Sequence, residues 1–253
     1  MTHNQESDQN IMSKLNLFWG SRKHHLKSMS FNELVVAYFQ HHAVIVYLIL
    51  MTAGIYYVMT HDGITLRNLL IVIITFQVYP LVWYLLHRYV LHSRYLYRFP
   101  SLAKTWKRIH YDHHQDPNDL RVLFGALQTT LPTIALVTLP VGWAIGGLLG
   151  AVTAFSAGIF STLFYEFSHC IQHLRFSPKS RFFKRIKKLH LMHHFYNEDG
   201  NYGITNYFWD KVFNTYYNNV KIKPRSKTVF NLGYDEEQSS RYPWVAQISE
   251  NNL

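Results

Sequence analysis

Long apolar stretches alternate with short basic ones along this chain. Leu34 to Met59 and Leu69 to Leu86 are nearly free of charge, and two more apolar runs follow, Val122 to Leu149 and Ala151 to Phe167. Each can cross a bilayer core as a helix, which takes roughly 20 residues. Four such runs in 253 residues leave too little polar chain to cover them in water, which argues against a soluble domain with buried helices. Pro80, Pro132 and Pro140 fall inside the proposed helices, where a membrane tolerates them and water would not. Asp62-Gly63 marks a turn between the first two runs, and Gly146, Gly147 and Gly150 mark one between the last two. The pattern predicts an all-α integral membrane protein with four transmembrane helices in two hairpins. Residues 1–30 read as a polar, disordered N-terminus, 31–220 as the membrane domain and 221–253 as a C-terminal tail.

Charge orients this arrangement. Arg88, Arg94, Arg98, Lys104, Lys107, Arg108 and Arg121 lie between the hairpins, and Arg175, Lys179, Arg181, Lys184, Arg185, Lys187 and Lys188 follow the fourth run, whereas the hairpin tips carry only Arg67. The positive-inside rule then puts both termini and the middle loop in the cytoplasm, in a multi-pass protein of the bacterial inner membrane or endoplasmic reticulum. The net charge of +10 does not point to nucleic acid, because the basic residues flank the spans and are interleaved with aromatics such as Tyr95, Tyr97, Phe182 and Phe183. That is how a protein anchors at an anionic leaflet. The single cysteine, Cys170, excludes an internal disulfide and reads as a packing residue. No cleavable signal peptide is evident, since the first apolar run starts late and no small-residue cleavage site follows it.

Histidine changes the picture most. Ten of the sixteen fall in four clusters: His87 and His92; His110, His113 and His114; His169 and His173; His190, His193 and His194. An isolated histidine is usually a surface or hydrogen-bonded core residue, and His3, His24, His25, His41, His42 and His61 are read that way. The clusters differ. HxxHH occurs twice, each copy after a histidine pair, and spacings of three or four place imidazoles on one helix face. Imidazole suits iron, zinc and copper, and ten are too many for one ion, so two metals are expected. All four clusters lie at the basic side of the spans, so a cytoplasmic helical cap should hold them.

The local reading is more detailed. Pro100-Ser101 starts a helix of about four turns, with Ser101 as its cap, that carries the second cluster towards Pro117. Ser177-Pro178 starts a second helix that carries the fourth cluster and ends near Gly200. His87 and His92 conflict with an α-helix, since five residues rotate about 140° past a full turn. The chain must unwind near Tyr89, or the two serve different metals. Neutral ligands need an acceptor for their other ring nitrogen, and Asp112, Glu166 and Asp210 are the candidates.

The ordered motifs HxxxxH, HxxHH, HxxxH and HxxHH, with Asn201-Tyr202-Gly203-Ile204-Thr205, Trp209-Asp210 and Phe213 after them, resemble the fatty acid hydroxylase and sterol desaturase superfamily over roughly residues 65 to 218. The branch it looks most like is fatty acid 2-hydroxylase, which has a histidine pair in the third cluster and a long spacer before the second. The resemblance implies that all ten clustered histidines are metal ligands; Glu166, one helical turn before His169, and Asp210 and Asn201 of the later signature are the expected catalytic residues beside them. It implies a monooxygenase with two iron ions and dioxygen as cosubstrate, acting on a lipid C–H bond, most simply on a fatty acyl chain. Zinc is redox-inert and could occupy the site only in an inactive form. Eukaryotic 2-hydroxylases carry an N-terminal b-type cytochrome domain, and the 30 residues before the first apolar run are too few for one. The expected electron donor is therefore a separate ferredoxin, or a b-type cytochrome with its reductase. Lys184, Arg185, Lys187 and Lys188 offer a face for an acidic carrier. A desaturase or sterol-directed oxidase shares this scaffold. A histidine-rich metal transporter fits less well, because transporters place polar groups near mid-membrane and these spans are apolar there.

Overall fold

The computed structural model describes residues 24–250, and these are helical with no β-strand. Helix α1 (Phe31–Gln40) opens on a capping box in which Glu33 N–H donates to Ser30 Oγ (3.3 Å) and Ser30 N–H to Glu33 Oε2 (2.7 Å). Helix α2 (His42–His61) follows. At its end Gly63, with φ of 67°, turns the chain, and the Asp62 carboxylate accepts from Arg67 (2.5 Å) and Asn68 (3.0 Å). Helix α3 (Leu66–Leu86) returns antiparallel with Pro80 inside it. Helices α4 (Pro100–Trp106) and α5 (Asp112–Gln115) lead to α6 (Leu127–His173), and α7 (Arg181–Phe195) follows. Three short helices, α8 (Phe208–Val212), α9 (Glu236–Arg241) and α10 (Trp244–Glu250), complete the chain.

Three helical stretches among the described residues are long and apolar enough to cross a membrane: His42–His61, Leu66–Leu91 and Leu120–His173. The third is broken. Gly146 and Gly147 leave helical geometry, and the two limbs of α6 fold back on one another. Gly142 meets Gly150 so closely that a side chain on either would strike the other's carbonyl, and Thr138 packs on Gly158. Both α2 and α3 run along α6. The outward faces are apolar and exposed, with Leu136 at 76 % and Ile49 at 62 %. Such surface suits hydrocarbon rather than water.

Several local expectations are revised. Residues 1–23 lie outside the described part, with His3 among them, but residues 24–30 belong to the fold: Leu26 is fully buried and its N–H donates to the Asn118 carbonyl (2.8 Å). Phe99, not Ser101, is the cap of α4, because Pro100 needs no N–H partner and takes the first helical position. Helix α7 starts at Arg181, not at Pro178, since Lys187 Nζ donates to the carbonyls of Leu174 and Phe176 and holds the intervening turn. It ends at Phe195, before Gly200. Residues 221–248 pack on the rest of the protein and are no loose tail. Trp244 Nε1 donates to the Tyr97 carbonyl (2.8 Å), and Tyr97, Trp106, Leu232, Tyr234 and Val245 share one core cluster. Cys170 is buried in the main core.

Candidate metal centre

The conflict between His87 and His92 is resolved by a π-turn. Residues His87–Leu91 form one, with His92 N–H donating to the His87 carbonyl (3.1 Å). An i→i+5 turn stacks residues five apart, so the two rings face each other with Nε2 atoms 3.2 Å apart. A second π-turn, Lys107–Tyr111, interrupts the helix carrying the second cluster and sets the register of His110. Two insertions in otherwise α-helical chain thus aim three imidazoles inward.

All ten clustered histidines converge. His113, His169, His173, His190 and His194 form one group, with one ring nitrogen of each within 4.8 Å of the others. His87, His92, His110 and His114 form a second by the same measure, and His193 adjoins His114 and His194 in a third, overlapping one. The His193 ring lies 4.9 Å from His87 and 4.8 Å from His92, which aligns it with the second group. His41 and His61 lie elsewhere: His41 stacks on Phe124, and His61 Nδ1 bonds to the Tyr57 carbonyl (2.8 Å).

The donor set fits metal ions. Nε2 atoms of His110, His114, His169 and His193 are buried without a hydrogen-bond partner. Nitrogens crowded this way repel unless a cation sits among them. Burial, aided by neighbouring rings, holds His110, His113, His190, His193 and His194 well below the ordinary 6.5 and His114 at about 3. These rings are therefore neutral, as ligands must be.

Three rings are oriented from outside. His87 Nδ1 donates to the Tyr202 carbonyl (2.6 Å), His114 Nδ1 to Val229 (2.9 Å) and His193 Nδ1 to Gly200 (2.8 Å). A carbonyl only accepts, so Nδ1 carries the proton and Nε2 keeps its lone pair for a metal. The expected carboxylates do not do this. Asp112 pairs with Lys107. Asp210 acts one step back: it accepts from Tyr202 N–H (2.8 Å), Gly203 N–H (2.9 Å) and Thr215 Oγ1 (2.8 Å), and so sets the loop that offers the Tyr202 carbonyl. Burial makes its carboxyl harder to ionise and holds its pKa above the ordinary carboxylate value, while these donors pull it down. Asn201, in the left-handed region at φ 56°, bridges the Leu189 and Tyr217 carbonyls (3.3 and 2.8 Å), next to Gly200. The carbonyls of Gly200, Tyr202 and Val229 escaped sequence reasoning, because every residue has one and only folding selects among them. The Tyr202 ring, edge-on to His87 and His92 at 5.6 and 5.2 Å, escaped it too.

Glu166 bonds to no histidine. Its Oε1 accepts from Gly125 N–H (3.1 Å), and its Oε2 is buried without a partner. It lines a cavity of about 200 Å³ that runs from His113, His169, His190 and His194 between α3 and both limbs of α6, past Trp83, Thr130, Thr133, Thr162 and Tyr165.

Comparison with known proteins agrees with this architecture. The chain is 31 % identical over 172 residues to the ceramide very long chain fatty acid hydroxylase SCS7 of Saccharomyces cerevisiae, covering 63 % of this chain and 42 % of that one. It is 34 % identical over 159 residues to the dihydroceramide fatty acyl 2-hydroxylase FAH2 of Arabidopsis thaliana, covering 60 % and 63 %. The human fatty acid 2-hydroxylase is 27 % identical over 154 residues, covering 59 % and 39 %. The chain thus spans less than two thirds of the length of each. The visible hydroxylase domain of full-length scs7p superposes with a TM-score of 0.63 at 25 % identity, over 78 % of this chain and 73 % of that one. The fatty acid hydroxylase family model matches residues 72–215. With membrane-length helices around a histidine centre that could hold metal ions, the chain is a membrane protein and belongs to the fatty acid hydroxylase family.

Proposed function

We propose that this protein is a membrane-bound di-iron monooxygenase that hydroxylates a lipid C–H bond, with the 2-position of a fatty acyl chain the best fit to its relatives' names. The observation that carries the reading is the cavity, which joins the histidine groups to the space between apolar limbs. An acyl chain can enter from the hydrocarbon and present a carbon near the rings while Trp83, Leu86, Val90 and Leu123 exclude water. His87, His92, His110, His114 and His193 would hold one ion, and His113, His169, His173, His190 and His194 the other. Bound iron would supply the dioxygen chemistry that breaks an unactivated C–H bond. We assign Glu166 to the polar end of the substrate, since its Oε2 has no partner and, apart from the histidines at one end, the cavity it lines presents only hydroxyls and apolar groups.

In this reading the two limbs of α6 each cross the membrane, giving four crossings as two hairpins with both termini and the cap cytoplasmic. Electrons would come from a separate acidic carrier. Arg181, Lys184, Arg185 and Lys188 rim a groove whose floor is Leu189, one peptide bond from His190. Lys187 is not part of that surface, because its ammonium is tied to main-chain carbonyls.

Lipidomics of membranes with and without the full chain, in a host lacking such an activity, tests the reading. The expected result is an acyl pool heavier by one oxygen, absent with His113→Ala. Gain of a double bond instead would assign the chain to desaturation, and an unchanged lipid profile would contradict an enzyme acting on lipid.

A further inference from the structure

The two HxxHH segments end in residues that grip the same piece of chain. Gln115, directly after His114, donates from Nε2 to the Phe230 carbonyl (2.6 Å). The residues after His194 hold the other side: the Tyr196 carbonyl accepts from Ser226 N–H (2.9 Å), Asn197 Nδ2 donates to the Pro224 carbonyl (2.8 Å), and Glu198 Oε1 accepts from Thr228 Oγ1 (2.5 Å). Residues 224–230 thus form a strap across the ends of both metal-facing helices. Its centre is Val229, 2 % exposed, whose carbonyl accepts the hydrogen bond from His114 Nδ1–H. The strap lies beyond the stretch matched by the family model, residues 72–215.

Glu198 stands out within this arrangement. It is 4 % exposed, a burial that is costly for a carboxylate unless it is hydrogen-bonded, and its Oε2 is buried without a partner, which leaves Oε1 as its one bonded oxygen. What it holds is the hydroxyl of Thr228, one residue before the bracing carbonyl. The Thr228 carbonyl in turn accepts from Leu232 N–H (2.7 Å), and Thr228 N–H donates to Ser226 Oγ (3.1 Å), so Thr228 is fixed on three sides.

We propose that Glu198 and Thr228 are positioning residues for the metal position that includes His114. Through them the Val229 carbonyl stays in line with His114 Nδ1, which fixes the tautomer and the ring plane and leaves Nε2 directed inward. Loss of the Glu198–Thr228 bond lets the carbonyl drift and the His114 ring rotate. His169, His173 and His190 have no hydrogen bond or ring contact to the strap among the described residues, and although His194 of their group lies 4.2 Å from the His114 ring, these three should keep their geometry. The consequence is selective: one of two bound metals is weakened and the other is not. This rests on the reading that the histidine groups hold two metals.

The experiment is a chelator challenge of purified, metal-loaded full-length protein, read by metal content per chain and by the rate of metal loss. Thr228→Val keeps the side-chain shape and removes the hydroxyl. The expected result is faster loss of about one metal, with affinity lowered about 10–100-fold as for other outer partners of ligands, while the second metal leaves at the wild-type rate. Thr228→Ser and Glu198→Gln retain donor and acceptor and should restore wild-type retention. Glu198→Ala carries the same test if Thr228→Val does not yield folded protein. Wild-type retention in Thr228→Val and Glu198→Ala, or equal acceleration of both metals, overturns the proposal. Wild-type protein that binds no metal overturns the underlying reading instead, so the two failures are distinguishable.

Discussion

His87, His114 and His193 each donate a hydrogen bond from Nδ1–H to a main-chain carbonyl, whereas no ring in the group of His113, His169, His173, His190 and His194 bonds to any group outside the histidines among the described residues. The braced group draws its carbonyls from the 200–202 loop and the strap. The unbraced group sits on α5, α6 and α7, and four of its five rings line the cavity, against two of the braced group, His87 and His110. Bracing raises ligand basicity and fixes ring planes. Lack of it leaves rings free to adjust. On the proposed two-metal reading, the difference separates an anchored position from one more open to what enters the cavity.

The largest effects should come from the rings. His113→Ala and His193→Ala should each abolish turnover, and each should lower metal content, with His193→Ala affecting the braced position. His41→Ala should leave both unchanged, since His41 packs on Phe124 away from the groups. Equal loss in His41→Ala, read by metal analysis and product formation, would break the boundary of the site.

Carboxylates come next and should separate by side. Asp210→Asn replaces one of two accepting oxygens with an NH2 donor, so Tyr202 N–H, Gly203 N–H and Thr215 can no longer all be satisfied; this loosens the Tyr202 carbonyl and should weaken metal binding about 10–100-fold at the braced position. Glu166→Gln should leave metal content intact and raise KM, because Glu166 touches the cavity and no ring. Metal loss in Glu166→Gln would move it into the ligand shell.

Acid should act through the cap histidines. Their folded-state constants lie below the ordinary 6.5, so below 6.5 the unfolded chain binds more protons than the folded one. The stability that these neutral rings contribute is complete above pH 6.5 and is lost progressively as pH falls below it. Melting of metal-free protein against pH should show that slope, and a flat profile from 7 to 5 would contradict neutral buried rings. The smallest effect concerns electrons. Charge reversal at Lys184 and Lys188 should raise the concentration of acidic donor needed for turnover, and more so at low salt, without changing metal content.

How much of this was legible in the sequence follows from what each feature depends on. The apolar runs and the HxxHH pairs are local, periodic signals, and they located the membrane-length helices and the ten rings that meet. The π-turn at His87 was foreshadowed only as a conflict, since an i,i+5 pair contradicts α-helical spacing without saying how it is resolved. The strap was invisible, because Val229 contributes a carbonyl, and its partner is 115 residues away. The roles of Asp112 and Asp210 were misjudged for a related reason. A carboxylate near a histidine in sequence has many possible partners, and here Lys107 and the main chain of 202–203 compete successfully.

The most direct test of two unequal metal positions is the time course of chelation from wild-type, iron-loaded protein. The account predicts close to two metals per chain that leave in two resolved phases, with the slow phase converted to a faster one by Asp210→Asn and the fast phase unchanged. A single metal per chain, or one phase that carries both metals in wild type and variant alike, would contradict it.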